Sequence, residues 1–179
     1  MIKNISNLGD AALYCDFGNE VNKSINSQVI KYFKTIKEKK FEGINNLTPS
    51  YNKLIISYDL KKTNFKEVKN YVENINAQDS KDINSKKLEI PVCCHENFSM
   101  DIKRLEEILK LSKEKILESF LNKEYFCYMT GFIAGMPFLG DLDENMRAQR
   151  LETPRVKVPK GSVASVSYTH LRAHETSHH

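Results

Sequence analysis

Apolar residues in the first half of the chain follow two spacings, one typical of strands and one typical of helices. Residues 11–18 and 53–58 are short apolar runs bounded by turn-forming residues, and they predict strands. Residues 21–40 and 64–75 carry apolar side chains at every third or fourth position, which predicts amphipathic helices. The shorter run at residues 44–47 predicts a third strand. With one more strand ahead of the first helix, to which the pattern assigns no bounds, we expect the element order β-β-α-β-β-α in this half of the chain.

The polar residues 76–87 separate this half from the rest of the chain. They are rich in Asn, Asp, Ser and Lys and contain few apolar residues, which predicts a linker. Beyond the linker, the spacing predicts a β-rich run, two helices and a strand, at residues 87–94, 101–111, 113–121 and 124–130. Ser112 is placed to cap the second of these helices. Glycine and proline are frequent in residues 131–163, where we expect loops and short strands.

The composition limits the classes of protein that the chain can represent. A length of 179 residues gives room for one domain or two small ones, and a hydrophobic content of 40% with a mean hydropathy of −0.50 fits a soluble protein with a core. No run of about 18 apolar residues occurs, and residues 1–5 do not begin a secretory signal. We therefore expect a cytoplasmic protein that does not bind a membrane.

The charge pattern does not favour nucleic acid as a partner. The net charge is +4, from 27 Lys and Arg against 23 Asp and Glu. The basic residues are mixed with acidic ones along the helices, which favours solvated helix surfaces over a nucleic-acid interface.

The four cysteines do not have the spacing of a metal site, and we expect no bound metal. Cys93 and Cys94 are adjacent, and adjacent side chains of a strand point to opposite faces. Cys15 and Cys127 lie in apolar runs and are expected to be buried as small hydrophobic residues. Cys93 and His95 share a strand face, so a thiol activated by an imidazole is one interpretation. The other interpretation, which we favour, is that His95 is a surface residue.

Residues 165–179 differ in character from the rest of the chain. They contain four of the five histidines, namely His170, His174, His178 and His179. Histidines four positions apart could bind a metal on one helix face. The absence of an apolar period favours a tail that is disordered or foreign to the domain, so we expect it to lie outside the fold.

The segment from Tyr128 to Val163 has the composition of a binding loop. Its glycines permit tight bends and close approach of a ligand, its aromatic residues can line an apolar pocket, and Arg150 and Arg155 offer forked donors for a carboxylate or phosphate. The alternative is that its glycines and prolines only shape the corner of a β-barrel. The candidate substrate-binding residues are Gly131, Phe132, Gly135, Phe138, Arg150, Thr153, Pro154, Arg155, Gly161 and Ser162.

The same segment resembles a known family. Residues 128–142 read YMTGFIAGMPFLGDL and residues 150–163 read RLETPRVKVPKGSV. They resemble the signature of the family that contains allophanate hydrolase subunit 1 and the B subunit of 5-oxoprolinase. The family also includes the sporulation kinase inhibitor Kip and the matching domain of urea amidolyase. Shorter matches support the resemblance, and they lie at residues 9–13, 49–54 and 90–93.

The chain also departs from the family pattern. Ala134 stands where the family usually has proline, and residues 94–96 read CHE where the family often has an aromatic residue and glycines. The family's later QTGIYP-like and GGW-like motifs do not occur in this sequence. We therefore expect that the second lobe is incomplete at its C-terminal end.

The resemblance implies an α+β fold in two lobes. Residues 1–80 would form a small open antiparallel sheet with helices, and residues 87–164 would form part of a cyclophilin-like β-barrel. Residues 165–179 would be the disordered or foreign tail described above.

The implied function is that of one component of ATP-dependent 5-oxoprolinase, which hydrolyses the cyclic amide 5-oxoproline to glutamate. The resemblance implies protein partners that are similar to the A and C subunits of that enzyme, with ATP as a co-substrate of the complex and no tightly bound cofactor. The sequence contains no phosphate-binding loop of the G-x-x-x-x-G-K-[ST] type, and we identify no catalytic residue.

Three alternatives to this function remain. The first is a Kip-like inhibitor of a histidine kinase, and the second is an amide-hydrolase subunit of the allophanate hydrolase or urea amidolyase type. The third is an inactive fragment.

Overall fold

Two compact units make up the part of the chain that the structure describes. The computed structural model describes residues 1–77, 85–159 and 161–164. The first unit comprises Met1–Leu88 and Phe126–Gly140, and the second comprises Glu89–Tyr125 and the described part of Asp141–His179.

An antiparallel sheet of four strands forms the base of the first unit. Its strands are β1 (Asn4–Asn7), β2 (Ala12–Asp16), β3 (Ile44–Pro49) and β4 (Lys53–Tyr58). They lie side by side in the order β1-β2-β4-β3, so β2 and β4 are central. Helix α1 (Lys23–Lys39) follows β2, and helix α2 (Phe65–Asn74) follows β4. The predicted order β-β-α-β-β-α is confirmed.

Asparagine side chains start both helices of this unit. The Asn22 side chain accepts a hydrogen bond of 2.9 Å from the Ile25 amide, and the Asn64 side chain accepts one of 3.1 Å from the Glu67 amide. A cap of this kind satisfies an amide that the first turn of a helix leaves without a partner. Helix α1 therefore starts two residues later than predicted, and Val21 is 47% exposed rather than part of the apolar face.

The core of the first unit lies between the sheet and the two helices. Alternate residues of β2 and β4 point into it, and the apolar faces of α1 and α2 cover them. The members with 0% exposure are Leu13, Cys15, Leu54, Ile56, Val29, Val68 and Val72. Burial raises the pKa of the Cys15 thiol to about 12, so this cysteine stays protonated and packs as a small hydrophobic residue, as predicted.

The described part of the second unit contains two helices, α3 (Ile102–Leu109) and α4 (Lys113–Leu121), and both were predicted. Ser112 caps α4, because its hydroxyl oxygen accepts a hydrogen bond of 3.4 Å from the Lys115 amide. Single 3-10 turns lie at Glu96–Phe98 and Glu144–Met146. The buried apolar residues here are Ile116, Met146 and Ala148.

The β-rich run predicted at residues 87–94 is wrong. The structure describes no strand between residues 85 and 95. Leu88 and Ile90 are 77% and 70% exposed, so the apolar side chains of this run have little to pack against. Pro91 lacks an amide hydrogen, which further disfavours pairing with a neighbouring strand. β-propensity depends on such packing, and here the packing is missing.

The remaining two strands form a separate hairpin that belongs to the first unit. They are β5 (Phe126–Thr130) and β6 (Pro137–Gly140), and they pair antiparallel. The α+β class is therefore confirmed, whereas no closed barrel forms within the described ranges. The lobe boundaries at residues 80 and 87 stay predictions. Most of the predicted linker, residues 78–84, and all of the predicted tail, residues 165–179, lie outside the described residues.

Within the described ranges, none of the helices combines the length and the apolar character that a membrane span requires.

Shortening one buried side chain of the central strand β4 tests the core. Ile56 is 0% exposed, so we expect that Ile56→Ala lowers the free energy of unfolding by about 2–5 kcal/mol, through lost burial and a residual cavity. Leu60→Ala is the matched control, because Leu60 is 58% exposed, and a change within about 0.5 kcal/mol is expected. Urea unfolding followed by circular dichroism measures both. Equal losses in the two variants would contradict the assignment of this core.

A polar contact at the end of β2 gives a second test. Lys53 donates to the Asp16 carboxylate and to the Gly18 carbonyl, and the Gly18 amide donates to Asp16. Burial alone would raise the pKa of the Asp16 carboxyl. The hydrogen bonds from Lys53 and Gly18 and the charges of Lys53 and Lys3 outweigh it and hold this pKa below its usual range.

A carboxyl with a lowered pKa stabilises the fold above its ordinary pKa of about 4, and this stabilisation is lost as the pH falls through the folded value. We expect Asp16→Asn to lower the free energy of unfolding at pH 7 by about 1 kcal/mol, with the difference from the parent shrinking in acid. Lys53→Gln removes the same contact and should behave similarly. Urea unfolding as a function of pH measures this, and parallel pH curves for parent and variant would contradict it.

Candidate functional site

The β5–β6 hairpin carries the first half of the sequence motif. Phe126 lies opposite Gly140, and Thr130 lies opposite Pro137. The connection from residue 131 to residue 136 forms the tip of the hairpin. We call residues 126–140 the motif hairpin.

Hydrogen bonds within the main chain order the tip. The Gly131 amide donates to the Met136 carbonyl at 3.0 Å, and the Met136 amide donates to the Ile133 carbonyl at 3.2 Å. Gly135 has a φ of +81°, which explains the choice of glycine there, because this backbone conformation strains residues with a side chain. Phe132 also has a positive φ, +66°, although it is not glycine. The tip therefore maintains a conformation with a local energetic cost at an aromatic residue.

The aromatic side chain at the tip points to solvent. Phe132 is 87% exposed and Ile133 is 62% exposed. Phe138, on β6, is half-buried. Of the aromatic residues predicted to line a pocket, Phe138 therefore belongs to a packed cluster, whereas Phe132 is available to a ligand or a second protein.

Gly140 has a steric role that its sequence context does not reveal. A Cβ atom at this position would lie 2.3 Å from Cε2 and 2.7 Å from Cδ2 of the Tyr128 ring. Tyr128 is 2% exposed, so its ring has no free space to move into. Gly140 is therefore needed to let the Tyr128 ring cover β6, and the tight bend predicted for this glycine is not what requires it.

Tyr128 is the centre of an aromatic cluster that fixes the hairpin to the first unit. Its ring centroid lies 4.8 Å from that of Phe126 and 5.7 Å from that of Tyr51. Tyr51, which lies between β3 and β4, also makes an edge contact with Phe138 at 6.5 Å. Aromatic pairs at these separations stabilise a fold beyond their buried area. The cluster thus joins a residue of the connection between β3 and β4 to both strands of the motif hairpin.

Asn26 of α1 also contacts the hairpin, although sequence reasoning did not select it. It is 2% exposed, and its side-chain amide donates to the Tyr128 carbonyl at 3.0 Å. In the sequence, Asn26 is a polar residue within the apolar spacing of α1. A polar residue at an apolar position of the helix was the feature that could have identified Asn26, because a buried amide requires a hydrogen-bond partner.

The ten candidate residues divide between the two units. Gly131, Phe132, Gly135 and Phe138 lie in the first unit, and the other six lie in the second. The structure thus brings the first four together in one hairpin. The assignment of all ten as substrate-binding residues stays a prediction.

The two arginines of the second unit have different surroundings. The Arg155 guanidinium forms an ion pair with the Asp101 carboxylate. Within the described ranges, no side chain bonds to the Arg150 guanidinium, whereas the Arg150 carbonyl accepts a 3.3 Å hydrogen bond from Arg104. Arg104 also donates to the Gln149 carbonyl at 2.7 Å and so fixes this stretch of main chain. Of the two predicted anion contacts, Arg150 has the more available guanidinium.

The last part of the motif forms a turn. The Ser162 hydroxyl donates to the Pro159 carbonyl at 2.7 Å, and Gly161 adopts a φ of +81°. Thr153 and Pro154 are exposed. These residues belong to an exposed segment of the second unit.

The cysteines give a mixed outcome. Cys127 is exposed, so its predicted burial is wrong: it lies opposite Leu139 on the outward face of the hairpin, whereas Tyr128 points inward. The His95 ring accepts a 3.3 Å hydrogen bond from the Asn97 amide and starts a 3-10 turn. In the described part of the chain, no hydrogen bond joins this ring to the Cys93 or Cys94 thiol. Throughout residues 1–77, 85–159 and 161–164, no group of three or more His, Cys, Asp or Glu side chains is suited to a metal ion.

Substitution of Gly140 tests the packing of the hairpin. We expect that Gly140→Ala lowers the free energy of unfolding by about 1–3 kcal/mol, because the new methyl group overlaps the buried Tyr128 ring. Gly131→Ala is the matched control: its Cβ would meet only the flexible end of Met129, at 3.0 Å, and a smaller loss is expected. Urea unfolding with near-UV circular dichroism of the tyrosines measures both. A loss for Gly131→Ala as large as that for Gly140→Ala would contradict this account.

Sequence comparison identifies similar proteins. The family model described as "Carboxyltransferase domain, subdomain C and D" matches residues 3–167. The B subunit of 5-oxoprolinase from Bacillus subtilis (strain 168) is 34% identical, over 89% of this chain and 71% of that protein. The B subunit of 5-oxoprolinase from Haemophilus influenzae is 37% identical over a shorter region, which covers 46% of this chain and 38% of that protein.

A solved structure supports the fold. The crystal structure of TTHA0988 superposes with a TM-score of 0.73 at 24% sequence identity, and the match covers 87% of this chain. This chain spans 30% of the length of that protein. At this level of identity the likeness establishes the shared fold alone.

Proposed function

The chain belongs to the family described as carboxyltransferase domain, subdomain C and D, and from this we propose that it works as the B subunit of an ATP-dependent 5-oxoprolinase. In this proposal the complete enzyme opens the ring of 5-oxoproline to give glutamate. This chain supplies part of the substrate site, and proteins similar to the A and C subunits of the enzyme supply the rest. The cytoplasm is the proposed location.

The observation that carries the proposal is the similarity to the B subunit of 5-oxoprolinase over most of the chain. The Bacillus subtilis relative is 34% identical over 89% of this chain, and the family match includes the whole motif hairpin. The two shorter curated matches carry the same name. The three names favour a 5-oxoprolinase component over the Kip-like inhibitor and over the allophanate hydrolase and urea amidolyase alternatives, which stay predictions.

The geometry of the motif hairpin supports a role in binding. Its tip is ordered by main-chain hydrogen bonds, and it presents the exposed ring of Phe132. A site that needs little reordering when it binds loses less entropy. An ordered tip with an exposed aromatic ring suits one side of a pocket for a small molecule with an apolar ring.

The chemistry of 5-oxoproline indicates which groups the site needs. The substrate is a five-membered lactam that carries a carboxylate, and its amide is stabilised by resonance. Phosphorylation of the amide oxygen at the expense of ATP would weaken that resonance and permit attack by water. A guanidinium is suited to the substrate carboxylate. The chain has no phosphate-binding loop motif, so the proposal assigns ATP binding to a partner or a shared site.

Reconstitution tests this proposal. The chain is co-expressed with the proteins of the same organism that are similar to the A and C subunits of 5-oxoprolinase, and glutamate release from 5-oxoproline is measured with and without ATP. We expect release that requires ATP and all three proteins. The Bacillus subtilis 5-oxoprolinase proteins, prepared in the same way, are the positive control. No ATP-dependent release by this chain, with an active control, would contradict the proposal.

The exposed ring at the hairpin tip can be tested within the same assay. We expect that Phe132→Ala raises the KM for 5-oxoproline by about tenfold, which corresponds to about 1.4 kcal/mol of lost contact. Thermal stability should change little, because the ring is 87% exposed. Leu60→Ala is the matched control, since Leu60 is also exposed, at 58%, and lies outside the motif hairpin. An unchanged KM for Phe132→Ala would exclude this ring from the pocket.

A further inference from the structure

The side-chain amide of Asn26 joins three segments of the first unit. Its nitrogen donates to the carbonyls of Ser50 at 3.2 Å, Tyr51 at 2.9 Å and Tyr128 at 3.0 Å. The first two carbonyls belong to the connection between β3 and β4, and the third belongs to β5. The nitrogen carries two hydrogen atoms and has three acceptors, so at least one hydrogen atom is shared between two carbonyls. Asn26 is 2% exposed, and the protein therefore keeps a buried amide at this junction.

The Tyr128 carbonyl lies where the pairing of the hairpin is irregular. Cys127 lies opposite Leu139 and Met129 lies opposite Phe138, so two residues of β5 advance for one residue of β6. This is the pattern of a β-bulge, which bends a strand and changes the direction of its side chains. The bond from Asn26 is made at the bulge itself, where the cross-strand ladder is disrupted.

A second contact acts at the same place. The Ser50 hydroxyl donates to the Met129 sulfur at 3.3 Å, and the rings of Tyr51 and Tyr128 are in contact. The connection between β3 and β4 thus reaches the bulge through the side chains of Ser50 and Tyr51, and Asn26 bonds to the main-chain carbonyls of the same two residues. The direction of the hairpin within the first unit depends on these contacts at the bulge.

From this geometry we propose that Asn26 is a positioning residue for substrate binding: it fixes the bulge at Tyr128 and thereby the place of the tip, residues 131–136. The inference rests on the proposed function, in which the tip lines the substrate pocket. Asn26 lies at the bulge and not at the tip, so it acts through the hairpin. Small displacements of positioning groups reduce activity strongly, since binding and catalysis depend on sub-ångström placement.

Asn52 provides a matched control within the same unit. It is also buried, at 9% exposure, and its side-chain amide also donates to main-chain carbonyls, those of Gly18 at 2.8 Å and Glu20 at 3.0 Å. Neither carbonyl belongs to the motif hairpin. Asn52→Asp and Asn26→Asp therefore remove the same kind of donor from buried sites. Asn52 also belongs to the connection between β3 and β4, but its side-chain amide bonds to no carbonyl of the hairpin, so only Asn26→Asp removes a hydrogen bond to the hairpin.

The first experiment uses the chain alone and does not depend on enzymatic activity. Amide hydrogen exchange is measured by mass spectrometry for the parent, Asn26→Asp and Asn52→Asp. We expect Asn26→Asp to accelerate exchange in residues 126–140 by at least tenfold relative to β4, and Asn52→Asp to leave the hairpin close to the parent. Asn26→Ser, which keeps one donor, should give a smaller change in the same direction.

The second experiment uses the reconstituted enzyme. We expect Asn26→Asp to raise the KM for 5-oxoproline by about tenfold with a smaller change in kcat, whereas a merely structural role would reduce the active fraction and leave KM unchanged. Asn52→Asp should keep the parental KM. Failure of the parent to release glutamate would contradict the proposed function, while the exchange experiment would still test the effect of Asn26 on the hairpin.

Two results would overturn the inference. The first is that Asn26→Asp and Asn52→Asp have the same amide hydrogen exchange rate in the hairpin, or the same KM for 5-oxoproline. The second is unfolding of the whole first unit in both Asn26→Asp and Asn26→Ser while Asn52→Asp stays folded, because Asn26 would then stabilise the unit as a whole rather than place the hairpin.

Discussion

The burial of the inward faces of β2 and β4 under α1 and α2 is the constraint on which the first unit depends. Leu13, Leu54 and Ile56 are fully buried in this core, and the two helices cover them. Burial of apolar area is the dominant favourable contribution to folding. Because α1 is fixed to the sheet by this packing, its residue Asn26 can present an amide at a defined position to a distant part of the chain.

That distant part is the motif hairpin, and polar and aromatic contacts fix it to the unit. Tyr128 is 102 residues away from Asn26 in the sequence, and a hydrogen bond from the Asn26 side chain to the Tyr128 carbonyl joins them. The Tyr128 ring packs against Tyr51 and requires the absence of a side chain at Gly140. The hairpin combines a buried base with an exposed tip, an arrangement that suits a binding element supported by a rigid scaffold. The second unit carries the two arginines of the motif, and its main chain near Arg150 is fixed by Arg104.

Much of the first unit follows from local sequence patterns, because its helices and strands repeat apolar residues at their own periods. Strand β4 was predicted with its observed ends, and α1 and α2 differ by one or two residues at their caps. The strand predicted at residues 87–94 does not form, because a local pattern alone is not sufficient for a strand. Its residues have β-propensity, but Leu88 and Ile90 are mostly exposed and have little to pack against. Strand formation depends on neighbours that a local pattern does not specify.

The sequence by itself determined the family, the α+β class, the order of elements in the first unit and the segment that carries the motif. These properties depend on residue types at short spacings, which are visible in a linear chain. Only the tertiary structure decided that Gly140 makes room for a tyrosine ring, that Arg155 pairs with Asp101 while the Arg150 guanidinium is more available, and that Asn26 bonds to the bulge of the hairpin. Each of these contacts joins residues that are distant in sequence or not in register, and packing of the whole chain is what brings them together.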